Sequence, residues 1–233
     1  MSARTKFVQS QGDLRESAAR NVVTTIVKDA FPSRVAVACS FGTEAAVLLH
    51  LIAGIDKTTP VLFIDTGRHF EETLSHRDHL AELFGLRDVR SIGPTAEEVA
   101  RLDANSTRAT WDPNGCCAFR KVAPLMKELA KFDAWITGLM SFQAKTRRDL
   151  SLLEVDGPRV KLNPLAAWTQ EDVTAYEREY GLPQHPLVAK GYLSIGCVPC
   201  TTPVRPGEDP RAGRWRGVEK TECGIHLPLT EES

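Results

Sequence analysis

Short apolar runs alternate with helical patterns along the first two-thirds of the chain. Three runs resemble buried parallel strands, being apolar on both faces and bounded by turn residues: Arg34–Cys39, Val61–Asp65 and Ala134–Thr137. The segment 43–51 is apolar all round and predicts a buried helix. A second helix is predicted at 71–84, where apolar residues recur at helical spacing before Gly85, a suitable C-cap. This alternation predicts an α/β fold with a doubly wound, mostly parallel sheet.

The last third of the chain has a different pattern. Residues 181–233 contain seven of the fourteen prolines and show little periodicity. Such a segment predicts an irregular C-terminal tail, which something other than a hydrophobic core must hold in place. We therefore divide the chain into an N-terminal helical segment (1–33), a nucleotide-binding α/β domain (34–180) and the tail (181–233), all within one structural unit.

Composition and charge narrow the class of protein. Of the 233 residues, 42% are hydrophobic and 25% are charged, and the formal net charge is -1. A nearly neutral chain has no global basic field for nucleic acid or anionic lipid, so any bound anion needs a local cluster of cations. No stretch approaches the roughly 20 apolar residues that span a bilayer, and Met1–Phe7 is not followed by the apolar segment of a secretory signal. We expect a cytoplasmic protein with no membrane or nucleic-acid partner.

Four of the six cysteines form two close pairs, Cys116–Cys117 and Cys197–Cys200. Thiols stay reduced in the cytoplasm, so such pairs suggest metal binding before disulfides. Four thiolates suit either a tetrahedral zinc ion or an iron–sulfur cluster. Adjacent cysteines favour the cluster, because each cysteine sulfur that binds a 4Fe-4S cubane binds a different iron. Four buried free thiols and a redox C-x-x-C are weaker alternatives. A bound metal would fasten the tail to the body.

A fifth cysteine, Cys223, lies in the motif KTECGIH near the end of the tail. Chain ends move unless they are tied down, so we expect a reactive thiol here rather than a packed one. Lys220 and His226 favour the thiolate, whereas Glu222 opposes it. The sixth cysteine, Cys39, lies inside an apolar strand and is expected to be an inert core thiol.

Two turns and a run of basic residues could bind an anionic nucleotide. SFGTE (40–44) and IDTGR (64–68) follow predicted strands, and nucleotides bind at the carboxyl edge of a parallel sheet. SFGTE also leads into a helix with free N–H groups, although an ordinary strand–helix turn explains it equally well. Four basic residues precede Cys223: Arg211, Arg214, Arg216 and Lys220. Such runs are usually solvated, but beside a reactive thiol they suit an oxyanion, which guanidinium groups bind in bidentate fashion.

Four motifs together make the chain resemble the adenylyl-sulfate reductases of sulfate assimilation, the cluster-containing relatives of phosphoadenylyl-sulfate reductase. The motifs are GCCAFRK (115–121), GYLSIGCVPC (191–200), RAGRW (211–215) and KTECGIH (220–226). The resemblance covers roughly residues 34–227. It implies a sheet of the adenine-nucleotide alpha-hydrolase-like type. It also implies reduction of adenylyl sulfate to sulfite and AMP through a Cys S-sulfonate, with thioredoxin or a glutaredoxin-like protein as donor.

The resemblance also implies roles for individual residues. The ligands of one 4Fe-4S cluster would be Cys116, Cys117, Cys197 and Cys200. Cys223 would be the nucleophile, and His226 either assists proton transfer or is an ordinary surface histidine. The substrate-binding set would be Ser40, Phe41, Gly42, Thr43, Asp65, Thr66, Gly67, Arg68, Lys121, Gly138, Arg147, Arg211 and Arg214. Lys121 is expected between cluster and substrate. The cluster is expected not to cycle electrons, because thiol exchange moves electrons in pairs.

Two departures from related patterns bear on the alternatives. ATP pyrophosphatases carry SGGxDS where this chain has SFGTEA, which argues against an ATP-cleaving sulfur-transfer or ligase enzyme. After Gly138 the chain has Leu139-Met140-Ser141 where relatives commonly have two arginines, so Arg147 is assigned from the TR match alone. Two further alternatives are a reductase that prefers the 3′-phosphorylated nucleotide and a non-enzymatic iron–sulfur sensor or nucleotide-binding module.

Overall fold

A computed structural model describes residues 3–226 of the chain, with side chains from residue 12 onward. The first two residues of the predicted N-terminal segment (1–2) and the last seven of the predicted tail (227–233) lie outside the described residues. Helix α1 (Ala3–Thr24) continues directly into a π-helical turn, Thr25–Ala30. The predicted N-terminal segment is therefore helical over most of its described length.

A six-stranded sheet forms the centre of the molecule. Its strands are β1 (Val35–Cys39), β2 (Val61–Ile64), β3 (Val89–Ile92), β4 (Ala134–Thr137), β5 (Leu153–Asp156) and β6 (Arg159–Leu162). The spatial order is β3-β2-β1-β4-β6-β5, and every neighbouring pair is parallel except β5 with β6. The predicted doubly wound, mostly parallel α/β fold is confirmed. The antiparallel β5–β6 hairpin at the edge is an addition that the apolar pattern did not indicate.

Helices cover both faces of this sheet. After α1 they are α2 (Ala45–Ala53), α3 (Glu71–Phe84), α4 (Ala96–Asp103), α5 (Arg108–Trp111), α6 (Pro113–Cys117), α7 (Ala123–Leu129) and α8 (Gln170–Glu179). The prediction for α3 is confirmed, and Gly85 ends it with φ 64°. Helix α2 begins two residues later than predicted because residues 42–44 form the turn after β1. Among the described helices, none is long and apolar enough to cross a membrane.

Alternate residues of β1 enter different cores, which explains why the strand is apolar on both faces. Val35 and Val37 pack with α1, α2 and α8 in the larger core. Ala36 and Ala38 pack with α7 in the smaller one. All five residues of β1 are buried, as expected of a parallel strand covered on both sides.

The tail is irregular over its described residues, as predicted. It contains two 3-10 turns, Val188–Lys190 and Val198–Cys200, and one isolated bridge between Thr201 and Arg214. Contacts to the segment around α3 hold its first part, including a 3.0 Å hydrogen bond between His185 Nε2 and Thr73 Oγ1. The first part of the tail is therefore held against α3.

Candidate active site

A cavity of about 490 Å³ opens between the sheet and the tail. Residues at the carboxyl ends of β1 and β4 form one wall, and tail residues form the other. From β1 the chain proceeds to β2 and β3 on one side, whereas β4 and β6 lie on the other. The cavity therefore sits at the topological switch point, where doubly wound sheets bind their ligands.

Most residues of the first predicted loop (40–44) line this cavity. Ser40, Gly42 and Thr43 line it, as does Glu44. Phe41 is not a lining residue: its ring is fully buried and packs edge-to-face on Phe63 at 5.6 Å. Its φ of 51° instead places it in the left-handed turn that redirects the chain into α2.

The second predicted segment lies elsewhere. The described cavity wall does not include Asp65, Thr66, Gly67 or Arg68. Thr66 Oγ1 is 3.2 Å from Cys197 Sγ, and the Arg68 guanidinium donates to the Ser106 carbonyl at 2.8 Å. In this arrangement the segment faces the cysteines, and its contact with substrate stays a prediction. The neighbouring His69 lines the cavity instead.

Four cations line the cavity together with Cys223: Lys121, Arg147, Arg211 and Arg214. Burial lowers the pKa of Lys121, but the thiolates of Cys197 and Cys223 outweigh that effect, so the pKa is raised. Lys121 therefore lies within electrostatic reach of both a paired cysteine and Cys223. It also lines the smaller cavity that holds the cysteine pairs. Its place between a cluster and the substrate stays a prediction.

Two of these cations are engaged by Glu222, a residue that the sequence singled out only as an opponent of the thiolate. Arg147 donates two hydrogen bonds to the Glu222 carboxylate, from Nε to Oε1 and from Nη2 to Oε2, each 2.8 Å long. Arg211 Nη2 donates to the same Oε2 at 3.3 Å. Burial raises the pKa of Glu222, but its bonds with Arg147 outweigh burial and lower it. Because the two residues are 75 positions apart in the chain, no local sequence pattern could have revealed this pair.

Cys223 itself is half-buried at the cavity wall. The chain turns sharply at Gly224, where φ is 91°, and then places Ile225 against the smaller core. His226 stacks on Trp135, with ring centroids 6.1 Å apart and planes 6° from parallel. Burial, with Arg147 and Lys161 nearby, lowers the pKa of His226 well below its ordinary value, so the ring is neutral at pH 7. Its part in proton transfer stays a prediction.

Gly138, the remaining predicted contact, follows β4 and lines the same cavity. A Cβ at this position would lie 3.4 Å from Leu48 Cδ2, so a larger residue would crowd α2. The cavity wall therefore includes eight of the thirteen predicted substrate-binding residues: Ser40, Gly42, Thr43, Lys121, Gly138, Arg147, Arg211 and Arg214. It includes none of residues 65–68.

The four paired cysteines line a second, smaller cavity beside the first. Asp112 caps α6 by accepting from the Gly115 N–H at 2.8 Å, and this short helix presents Cys116 and Cys117. The 3-10 turn Val198–Cys200 brings the other pair from the tail. All four are free thiols, and three of them are buried. The fold thus unites two pairs that are 80 residues apart in the sequence.

The surroundings of these thiols fit an anionic cluster. Three donors that line this cavity are buried and have no acceptor among the described residues: Arg120 Nε, Arg214 Nε and Trp215 Nε1. Burial opposes ionisation of Cys197, but Lys121 and the Thr66 hydroxyl outweigh it and lower the pKa of this thiol. Cationic groups and spare donors suit four thiolates that bind iron. The described residues hold no group of three His, Cys, Asp or Glu side chains placed around a single metal ion.

Comparison with known proteins places the chain in a family. Residues 34–203 match the phosphoadenosine phosphosulfate reductase domain. The adenosine 5′-phosphosulfate reductase of Mesorhizobium japonicum is 50% identical over 212 residues, which cover 91% of this chain and 84% of that protein. The Rhodococcus opacus protein of the same name is 41% identical over 240 residues, covering 93% and 96%. A Gloeobacter violaceus protein named phosphoadenosine 5′-phosphosulfate reductase is 42% identical over 202 residues, covering 84% and 83%.

Solved structures agree with these relatives. The crystal structure of phosphoadenylyl-sulfate reductase from Candida auris, a phosphate complex, matches with a TM-score of 0.67 and 27% identity, covering 83% of this chain and 97% of that one. Yeast FAD synthetase in complex with FAD matches with a TM-score of 0.59, covering 83% and 67%, and at 15% identity it shows the shared fold alone. The chain belongs to the phosphoadenosine phosphosulfate reductase domain family.

Proposed function

We propose that this protein reduces adenylyl sulfate to sulfite and AMP in cytoplasmic sulfate assimilation, with thioredoxin or a glutaredoxin-like protein as donor. Family membership makes it an oxidoreductase that acts on sulfur. One observation carries the proposal: Cys223 lines a cavity at the switch point of the sheet. The loop after β1 (40–44) and four cations line the same cavity. A thiol, an anion site and a nucleotide-binding edge are the parts that the reaction needs.

In the first step the cations of the cavity offset the negative charge of the phosphosulfate. The Cys223 thiolate attacks the sulfate sulfur, a bond forms between the two sulfur atoms, and the sulfur–oxygen bond to the phosphate breaks. AMP leaves with the electron pair of that bond. Lys121 lies within electrostatic reach of Cys223, and the thiolate of Cys223 is the form that attacks.

In the second step a thiolate of the donor attacks Sγ of the Cys223 sulfonate. Sulfite leaves with the electron pair of the sulfur–sulfur bond, and a mixed disulfide forms. The second thiol of the donor then restores Cys223, so the donor dithiol is oxidised to a disulfide and supplies both electrons. The tail must open for the donor to reach Cys223.

The four paired cysteines would hold one 4Fe-4S cluster beside this cavity. When bound, the cluster supplies anionic charge next to Lys121 and joins the tail to the sheet by bonds to thiolates. The spare donors of Arg120, Arg214 and Trp215 around these thiols support the assignment. Both steps above move electrons in pairs, so neither needs a one-electron carrier.

The choice between adenylyl sulfate and its 3′-phosphorylated form rests on two features. The cysteine pairs favour adenylyl sulfate, because many enzymes for the phosphorylated nucleotide lack them. The cavity wall also contains Glu44 and Glu177, two carboxylates close enough that Glu177 contributes to a raised pKa of Glu44, after burial. An additional phosphate on that side would meet acidic groups. Turnover of the two nucleotides at equal concentration decides between them.

The test is to mix the protein with adenylyl sulfate in the absence of a thiol donor. We expect one sulfonate group on the peptide that contains Cys223, detected by mass spectrometry. Cys223→Ser should abolish the adduct and turnover while keeping its iron. Cys39→Ala is the matched control: burial raises the pKa of that thiol to about 12, so its removal should leave the adduct in place. Full activity of Cys223→Ser would refute the proposal.

A further inference from the structure

The carboxylate of Glu222 accepts four hydrogen bonds from three residues. Besides the three bonds from Arg147 and Arg211, it accepts from Thr146 Oγ1 at 3.2 Å. The side chains of Arg147 and Glu222 are only 12% and 11% exposed, so water screens their attraction weakly. Arg211 adds a 2.6 Å bond to the Thr221 carbonyl. Charged bonds of this bidentate kind fix orientation as well as position.

A second anchor lies on the other side of Cys223. Ile225 packs against the smaller core, and His226 stacks on Trp135. Cys223 therefore lies between a charged anchor one residue before it and an apolar anchor two and three residues after it. With both ends of so short a segment held, the direction of the thiol is determined by the anchors.

Glu222 also leaves Arg147 few donors for a ligand. Its Nε and Nη2 are bonded to Glu222, and its Nη1 donates to Gln143 Oε1 at 2.7 Å. Arg214, by contrast, donates within the described residues only through Nη1, in long bonds to Ser194 Oγ at 3.5 Å and the Ile195 carbonyl at 3.4 Å. An incoming phosphosulfate would therefore find its donors on Arg214 and Lys121 rather than on Arg147.

We propose that Glu222 is a positioning residue, whose carboxylate docks the tail on Arg147 and Arg211 and so directs the Cys223 thiol into the cavity. The inference rests on the proposed function, because it concerns the thiol that attacks the substrate. It gives Arg147 a role through Glu222 instead of a direct contact with substrate. Glu222 stays on the arginines while Cys223 attacks.

Charge and position predict opposite effects when this carboxylate is removed. Loss of a negative charge from the cavity wall removes a repulsion of the anionic substrate and would speed the attack. Loss of the docking contact lets the tail leave the cavity, which slows the attack even when substrate is saturating. A slower reaction in Glu222→Gln therefore reports positioning and not electrostatics.

The experiment compares wild type with Glu222→Gln and with Glu219→Gln, which removes an exposed carboxylate from the same tail. Hydrogen exchange of the peptide that spans residues 221–226 measures docking in the substrate-free holoenzyme. The rate of Cys223 sulfonation at saturating adenylyl sulfate measures positioning. In Glu222→Gln we expect faster exchange and sulfonation slower by at least about tenfold, a typical cost of misplacing a reacting group. Glu219→Gln should match wild type in both measurements.

The proposal requires both changes in Glu222→Gln. Unchanged exchange would refute docking, and unchanged sulfonation would refute positioning, whatever the other measurement gives. If wild-type protein is not sulfonated at all, the proposed function fails, and hydrogen exchange alone then decides whether Glu222 docks the tail. Melting curves of the three proteins show whether a slower reaction comes from an unfolded enzyme.

Discussion

At the scale of single residues, environment separates thiols that have the same chemistry. Cys39 lies in β1 with apolar neighbours, and burial raises its pKa to about 12, so it stays protonated. Cys197 is also buried, yet Lys121 and Arg214 lower its pKa. Cys223 lies at the cavity wall beside the same lysine. One lysine therefore serves both the cysteine pairs and the reactive thiol.

Lys121→Met removes that shared charge while keeping most of the side-chain volume. We expect Cys223 sulfonation at saturating substrate to fall on the order of 100-fold, as when one preorganised electrostatic contact is lost. Rapid-quench mass spectrometry measures the rate, and the iron content shows whether the cysteine site survives. Lys127→Met changes an exposed lysine of α7 and should leave the rate unchanged. A wild-type rate in Lys121→Met would remove this residue from the mechanism.

At the scale of elements, a pair of buried histidines helps to join the tail to α3. His76 of α3 and His185 of the tail lie with ring centroids 4.9 Å apart, and both are almost completely buried. Burial lowers the pKa of each to about 4, with a smaller contribution from His79 at His76 and from His76 at His185. The contact is therefore made by neutral rings.

This pair makes stability depend on pH in a defined window. Because the folded-state pKa values lie below the ordinary 6.5, the unfolded chain binds more protons between pH 6.5 and 4. The free energy of unfolding should be full above pH 6.5, fall by a few kcal/mol as the pH drops to about 4, and level off below, at about 1.4 kcal/mol per pKa unit. Denaturant unfolding at several pH values measures this dependence.

His185→Asn should flatten that slope, since it removes one of the two histidines whose pKa is lowered. His79→Asn, at an exposed position of the same helix, should keep most of the slope. An equally steep dependence in His185→Asn would show that other groups cause it.

At the scale of the whole molecule, the tail is held by polar and cysteine contacts more than by a core. The two cores consist almost entirely of residues from the body. Among the described tail residues, Leu182 belongs to the larger core and Ile225 packs against the smaller one. The cysteine pairs connect α6 with the 3-10 turn of the tail through one small cavity. Metal bonds at this point would replace missing hydrophobic burial.

Removal of iron from the holoenzyme with a chelator should therefore loosen the tail before the body. We expect faster hydrogen exchange in residues 181–226 and little change in β1 and α2. Losing a few kcal/mol would lower Tm by roughly 10 °C, at about 2–4 °C per kcal/mol for a chain of this size. Equal exchange of the tail with and without iron would contradict this role for the cysteine pairs.

Local patterns in the sequence were enough for much of the fold. Buried strands such as Val61–Ile64 and the helix Glu71–Phe84 follow from periodicity, because burial repeats along each element with its own period. The edge hairpin was not predicted, since β5 alternates exposed and half-buried residues and has only four of them. A short strand that pairs on one side has a weak local signal.

The sequence by itself determined the class of sheet and the places of the two cysteine pairs and of Cys223 in the chain, because each is recorded in adjacent or regularly spaced residues. The tertiary structure alone decided that residues 65–68 face the cysteines and that Glu222 occupies Arg147, a partner 75 residues away in the chain. Local spacing governs periodic burial and motifs. Contacts between distant charges depend on how the packed sheet and tail bring those segments together, so no local pattern contains them.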